Sequence, residues 1–426
     1  MRRIRPAARL RGELTVPGDK SISHRALMLA SIADGTTRIL NIAPGRDVRS
    51  TANCLARLGV SIHQTGSGVA VHGRGLCGFE QPADCLDAGN SGTTVRLLSG
   101  ILAAHPFESV ITGDESLRRR PMARVLEPLR RMGASIDADR ESRAPLRIRG
   151  GRLRPIHHAL PVASAQVKSC VLLAGLHADG ETSIEEPWVS RNHTELMLPL
   201  FGVVVRADGP SSCVSGPARL RATTIDVAGD PSSAAFFLVA ACVLPGSELI
   251  IRDVCVNPTR TGLLRVLGSM GARLSFEGVR IVGGEPRADI VVRSSRLHGA
   301  AVPVDLIPSI IDELPLLAVA ATQAEGETVV RGAAELRVKE ADRIHAVVRN
   351  LGLMGAHATE LNDGFVICGS QRLRGVVVDS FGDHRIAMAF AVAGLVAEGE
   401  TMIAGAGSAD VSYPGFYDAL DEVIDG

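Results

Sequence analysis

The sequence predicts an α/β (α+β) chain of two domains assembled from six similar modules, and three observations carry that prediction. The first is capacity: 426 residues, 46% of them hydrophobic and 22% charged, suffice to bury two sizeable cores. The second is a recurring phrase, an apolar helix-like run closed by Leu or Met and then Gly. It places glycines at positions 59, 133, 202, 271 and 355, spaced 74, 69, 69 and 84 residues apart. The third is a small-residue turn followed by a β-rich run, at 35–39, 180–184, 246–250, 326–330 and 399–403, with 107–111 filling the gap. Units of about 70 residues exceed the period of common solenoids and mix helix with strand signals, so each reads as a small α/β module. Six modules in two domains give three in each.

Taken in order, the chain opens with a strand at 14–16, the turn Pro17-Gly18, and a helix whose good formers occupy 26–30. Lys20, Ser21 and Arg25 fall at or near that helix's N-terminus, where unpaired N–H groups and the helix dipole favour an anion. After each β-run comes a polar, often basic segment leading into the next helix: 47–51, 118–122, 190–194, 257–261 and 339–343. Each is expected to put Ser, Thr, Asn or Asp near an N-cap, often beside an arginine. The glycine after each helix is expected as its C-terminal cap. Several helix N-termini are therefore expected to converge on one anionic ligand.

Composition removes whole classes of function. Lys plus Arg and Asp plus Glu both number 46 and aromatics make up 3%, which argues against a nucleic-acid partner. The eight cysteines include no C-x-x-C pair, so neither a metal site nor a disulfide framework is expected. No apolar run of roughly 18 residues suggests a membrane span, and residues 1–6 lack a signal-peptide core, so a cytoplasmic location is expected.

Eight motifs then stand in order: GDKSISHR at 18–25, GNSGTTVR at 89–96, RRPM at 119–122, SAQVKS at 164–169, PTRTG at 258–262, Asp312-Glu313, RVKEADR at 337–343 and GDHR at 382–385. Together they resemble the enolpyruvyl transferase family over essentially the whole chain. Within it the resemblance is to members acting on shikimate 3-phosphate, of the second class by Ser164-Ala165-Gln166 and Arg191. The resemblance implies a two-domain inside-out α/β barrel, each domain three βαβαββ repeats with helices inside and sheets outside. One domain would hold 1–18 plus 230–426 and the other 19–229, with hinge crossings near 18–20 and 228–231. The implied reaction moves the enolpyruvyl (1-carboxyvinyl) group of phosphoenolpyruvate to the 5-hydroxyl of shikimate 3-phosphate, on the route to chorismate and aromatic amino acids. It would use no cofactor and no metal, act as a monomer, and be open to inhibition by glyphosate.

The same resemblance assigns residues. Lys20, Asn90, Gly92, Arg120, Gln166, Arg343 and Arg385 would bind phosphoenolpyruvate. Lys20, Ser21, Arg25, Ser164, Ala165, Gln166, Arg191, Asp312 and Lys339 would bind shikimate 3-phosphate. The chemistry fits the residue types, since arginine forks match phosphate and carboxylate bidentately while lysine supplies a point charge. A Cβ at Gly92 would intrude on the ligand. Asp312 is implied beside the 5-hydroxyl, and Glu340 as proton donor to the methylene carbon, with Lys20 able to share that role. A carboxyl donating near neutrality needs a raised pKa, which Lys339 and Arg343 would oppose, so burial must dominate if Glu340 is the acid. His384 reads as an orienting or capping residue. Val411, Glu335 and His193 depart from first-class members, which carry lysine, asparagine and tyrosine there. Sister enzymes acting on UDP-N-acetylglucosamine carry a cysteine where this chain has Glu115, and RNA 3′-phosphate cyclases, with related modules, fit the balanced charge poorly.

Overall fold

Short polar side chains placed where a strand gives way to a helix start most of the interior helices. In the computed structural model, which describes residues 1–425, Asp19, Ser91, Ser164, Asp230 and Asp383 occupy N-caps and accept from first-turn backbone N–H groups. They open the helices Lys20–Ser31, Gly92–Leu102, Ala165–Gly175, Pro231–Val243 and His384–Leu395, which with Leu314–Thr322 are buried on nearly every face. A helix apolar all round belongs in an interior.

The chain divides into two units. One comprises residues 1–17, 228–281 and 286–426, the other 18–227 with 282–285. In the second, strand Leu86–Asp87, helix Gly92–Leu102, strand Glu108–Thr112, helix Ala123–Arg131 and the strands Ser135–Asp137 and Leu146–Arg149 make a complete βαβαββ module. Its first strand pairs parallel with the next, as a helical crossover requires, and the last two pair antiparallel. Residues 157–216 repeat the pattern. The third module takes its first strand, Thr224–Asp226, from the far end of the segment, pairing it parallel with Thr36–Leu40. The first unit is tied in the same way: Arg9–Thr15 pairs parallel with Glu248–Cys255, and Arg2–Ile4 antiparallel with Thr401–Ala404.

Among the described residues each unit thus carries three sheets. Their strands alternate in burial, Leu146–Arg149 being buried, exposed, buried, exposed, so one face packs inward and the other meets water. Helices lie inside and sheets outside in both units, the inside-out α/β arrangement that was expected. The interior helices approach closely where glycine allows it: a Cβ on Gly100 of Gly92–Leu102 would lie 2.3 Å from the Cys170 carbonyl oxygen of Ala165–Gly175. At the crossing into the second unit, a Cβ on Gly18 would lie 1.8 Å from the Asn41 carbonyl oxygen.

The capping glycines behave as expected. Gly59, Gly133, Gly202, Gly271 and Gly355 all have φ between +83° and +109°, the left-handed region that L side chains rarely adopt. The expected N-caps need correction. Residues 47–51 lie within the helix Arg46–Arg57, whose N-cap is Gly45, and Met122 caps Ala123–Arg131. Asn192, Thr261 and Asp342 do stand at N-caps as expected, though of the three only the Asp342 side chain makes the capping bond, accepting from His345 N. The capping side chains sit mainly one helix earlier in each module, where the chain turns inward and its first-turn N–H groups leave water. His384 is likewise not a cap: it is the first residue of its helix, and Asp383 caps it. The strand that precedes the Pro17-Gly18 turn runs Arg9–Thr15 rather than 14–16. All eight cysteines are free, and among the described residues no helix is long and apolar enough to cross a membrane.

Candidate active site

The candidate residues fall into two clusters, one in each unit. In the second unit Lys20 is the first residue of its helix, and Asp47 holds its ammonium at 3.0 Å. One turn on, Arg25 is 3% exposed. It donates to the Ser21 carbonyl at 2.9 Å, Thr194 Oγ1 at 2.8 Å, Ser169 Oγ at 2.7 Å and the Ala165 carbonyl at 3.5 Å. Arg191 Nη1 reaches Ser21 Oγ at 3.4 Å. One guanidinium therefore ties the Lys20–Ser31 helix to the segments carrying Ala165 and Thr194.

The glycine-rich turn 89–92 is organised by polar side chains on either side of it. Asn90 donates to Asp114 Oδ2 at 2.8 Å and accepts from Arg120 Nη2 at 2.5 Å, which fixes both its amide and the arginine. Arg120 follows the short helix Glu115–Arg119, which Asp114 caps. Gln166 donates to Thr93 Oγ1 at 2.9 Å and accepts from Arg96 Nη1 at 2.8 Å. Here the structure refines the expectation for Gly92: a Cβ would meet Arg96 Nη1 at 2.6 Å and Arg120 Nη1 at 3.3 Å, so the glycine makes room for guanidinium groups. Arg96 stood in a quoted motif without a role, and its contacts with the Gly92 and Gln166 positions make it a member of this cluster. Below them His24 Nδ1 bonds Thr51 Oγ1 at 2.7 Å, Thr51 bonds Thr94 at 2.6 Å, and Thr94 donates to the capping Ser91 at 2.7 Å. Burial, then Lys20 and Arg25, hold the His24 imidazole well below its ordinary pKa, so it serves this chain as a neutral ring.

In the first unit Arg343 is the centre. Its side chain is 1% exposed and contacts Glu340 at 2.6 Å, Asp383 at 2.7 Å and Asp312 at 3.2 Å. Burial works against its charge, yet Asp383, Glu340 and Asp312 together raise its pKa. Asp312 also faces Arg385 at 3.6 Å and Lys339 at 3.9 Å. Arg385 in turn donates to the Asp312 carbonyl at 3.1 Å and Glu313 Oε1 at 3.3 Å. Burial lowers the Lys339 pKa although 28% of its side chain is exposed, and Asp312 is the foremost group opposing that shift. Glu340 faces the cation that was expected to oppose its protonation.

Asp312, Glu340, Lys339, Arg343 and Arg385 are thus gathered in one unit, and Lys20, Ser21, Arg25, Asn90, Gly92, Arg120, Ser164, Ala165, Gln166 and Arg191 in the other. Sequence reasoning missed Asp47, Asp383 and Arg96 as organisers. The Asp before His384-Arg385 carried a readable capping signal. The other two are legible only through contacts distant in sequence. Among the described residues no group of three or more His, Cys, Asp or Glu side chains is arranged to hold a metal ion.

A family model described as EPSP synthase (3-phosphoshikimate 1-carboxyvinyltransferase) matches residues 4–420. A 3-phosphoshikimate 1-carboxyvinyltransferase of Brevibacillus brevis is 51% identical over 424 residues, covering 99% of this chain and 100% of its own. One from Pelotomaculum thermopropionicum is 55% identical over 418 residues, covering 97% of each. The solved structure of EPSP synthase from Acinetobacter baumannii superposes with a TM-score of 0.87 at 45% identity, covering 99% of this chain and 97% of that one.

Proposed function

The chain belongs to the EPSP synthase family, and from that premise we propose that it transfers the enolpyruvyl group of phosphoenolpyruvate to the 5-hydroxyl of shikimate 3-phosphate, releasing phosphate. The observation that carries the reading is the division of labour between the clusters. One is a set of cations and polar donors suited to phosphate and carboxylate oxygens, and the other joins such cations to two carboxylates, a group type suited to proton transfer.

The chemistry sets three demands. The 5-oxygen must attack C2 of phosphoenolpyruvate while C3 gains a proton, giving a tetrahedral adduct. That adduct must then lose a C3 proton and expel phosphate, which restores the vinyl group as an ether. Asp312, ringed by Arg343, Arg385 and Lys339, is the acceptor for the hydroxyl proton. Glu340 is the donor to C3, and its ion pair with Arg343 has to weaken for it to carry a proton, which a bound anion competing for that guanidinium would bring about. Lys20, Arg120, Gln166, Arg343 and Arg385 bind phosphoenolpyruvate, and Ser21, Arg25, Ser164, Ala165, Gln166, Arg191 and Lys339 the sugar phosphate. Apart from that ion pair, the cations are already held by partners within their own clusters, which limits the reorganisation each step needs. No cofactor enters the scheme.

The test is phosphate release from phosphoenolpyruvate with alternative acceptors, in the presence of a metal chelator. Release with shikimate 3-phosphate and none with UDP-N-acetylglucosamine is expected. The opposite preference, or strict dependence on a divalent ion, would overturn the proposal.

A further inference from the structure

Behind the 164–166 turn lies an enclosed ionic group that the proposed function does not use. Lys168, on the helix Ala165–Gly175, contacts Glu186 and Glu195 at 2.8 Å each, and the three side chains are 3%, 0% and 5% exposed. Glu186 also accepts from the backbone N–H of Ser164 at 2.9 Å and of Ser190 at 3.2 Å, and from the Ser190 hydroxyl at 2.7 and 2.8 Å to its two oxygens. Glu195 accepts from Ser212 Oγ at 3.1 Å. An enclosed group of this kind adds little net stability over apolar packing of the same volume, because desolvating the charges offsets their attraction. What it supplies is position.

The two turns that Glu186 joins are those flanking the proposed sugar-phosphate site. Ser164 caps the helix that begins with Ala165 and Gln166, and Ser190 immediately precedes Arg191. We infer that Glu186, itself held by Lys168, is a positioning residue for shikimate 3-phosphate, fixing the turn that carries Ser164, Ala165 and Gln166 against the turn that carries Arg191. This rests on the proposed function. A carboxylate can do it because both oxygens only accept. Oε1 serves Ser164 N–H and the Ser190 hydroxyl, while Oε2 serves Ser190 N–H and the Lys168 ammonium. A glutamine of the same shape must turn its NH2 toward one set of donors, releasing one turn or the other.

Glu186→Gln therefore separates position from chemistry. The KM for shikimate 3-phosphate is expected to rise roughly tenfold or more, with kcat changing less than about threefold and the KM for phosphoenolpyruvate, whose site shares only Gln166 of this turn and holds it through Thr93 and Arg96 as well, rising clearly less. Trp188, the one tryptophan of the chain and 53% exposed, lies between Glu186 and Ser190 and should become easier to quench with acrylamide. Ser190→Ala, a milder change, should move the same KM in the same direction, and decides the matter if the first variant fails to fold. An unchanged KM for shikimate 3-phosphate, or a fall in kcat matched by a rise in both KM values, would overturn the inference. Wild-type protein titrated calorimetrically with shikimate 3-phosphate separates the two failures: no binding sinks the proposed function and this inference with it, whereas normal binding with indifferent variants sinks the inference alone.

Discussion

At the scale of single residues, Asp312 and Glu340 are not independent, because both lean on Arg343. Asp312→Asn and Glu340→Gln keep shape and remove the proton acceptor or donor, so each should lower kcat by roughly 100-fold or more in a phosphate-release assay. Groups sharing a partner couple, so the double variant should lose less than the product of the two effects. Full turnover in either single variant would remove that residue from the mechanism. Gly92→Ala makes a different prediction. Its Cβ collides with the tips of Arg96 and Arg120, which can swing aside at small cost in stability but would then misplace their contacts with Gln166 and Asn90. Thermal stability should hold while the KM for phosphoenolpyruvate rises and inhibition by glyphosate, expected in the micromolar range for the parent, weakens. An unchanged KM together with unchanged inhibition would show that the crowding does not matter. That a Cβ would be crowded at this position was readable from the sequence. That the Cβ would meet arginines rather than ligand alone was not, since Arg96 comes alongside only when the Gly92–Leu102 helix forms.

At the scale of elements, Asp383 couples a helix start to the site. Its Oδ1 caps Arg385 N at 2.8 Å and its Oδ2 accepts from Arg343 Nε at 2.7 Å. Asp383→Asn can keep the cap while losing the charge that orients the arginine. Circular dichroism should be unaltered, and kcat/KM for phosphoenolpyruvate should fall roughly tenfold or more; equal activity would mean Arg343 is held well enough by Asp312 and Glu340. The contact of the helices Gly92–Leu102 and Ala165–Gly175 is set by a missing Cβ. Gly100→Ala forces backbone apart at Cys170 and should cost about 3 kcal/mol in urea unfolding. The C-terminal glycine caps were legible because positive φ leaves a compositional mark. The N-caps were half legible, because Ser, Thr, Asn and Asp recur in loops, and which of them caps depends on where the preceding strand stops.

At the scale of the whole chain, the six-module count was legible because local phrases repeat, and so was the three-sheet composition of each unit. The pairing of Arg9–Thr15 with Glu248–Cys255 and the buried Lys168 group were not, since both join segments with no shared local signal. Burial also leaves a titration signature. It holds the His24, His105 and His177 imidazoles below their ordinary pKa, the last at about 3. A histidine with a depressed native pKa binds its proton more readily in the unfolded chain, so its contribution is intact above about pH 6.5 and is lost as pH falls below that value. For His177 the loss amounts to about 2 kcal/mol between pH 7 and pH 5. Urea unfolding at the two pH values should show it, and His177→Gln should flatten the dependence by that amount; an unflattened profile would assign the acid sensitivity elsewhere. The central claim is that the chain transfers a vinyl group intact, and the fate of carbon from [2-13C]phosphoenolpyruvate incubated with shikimate 3-phosphate tests it most directly. The account predicts the label in an enol ether on the sugar phosphate, with one phosphate released per ether formed; label recovered as pyruvate, or left wholly in phosphoenolpyruvate, would contradict it.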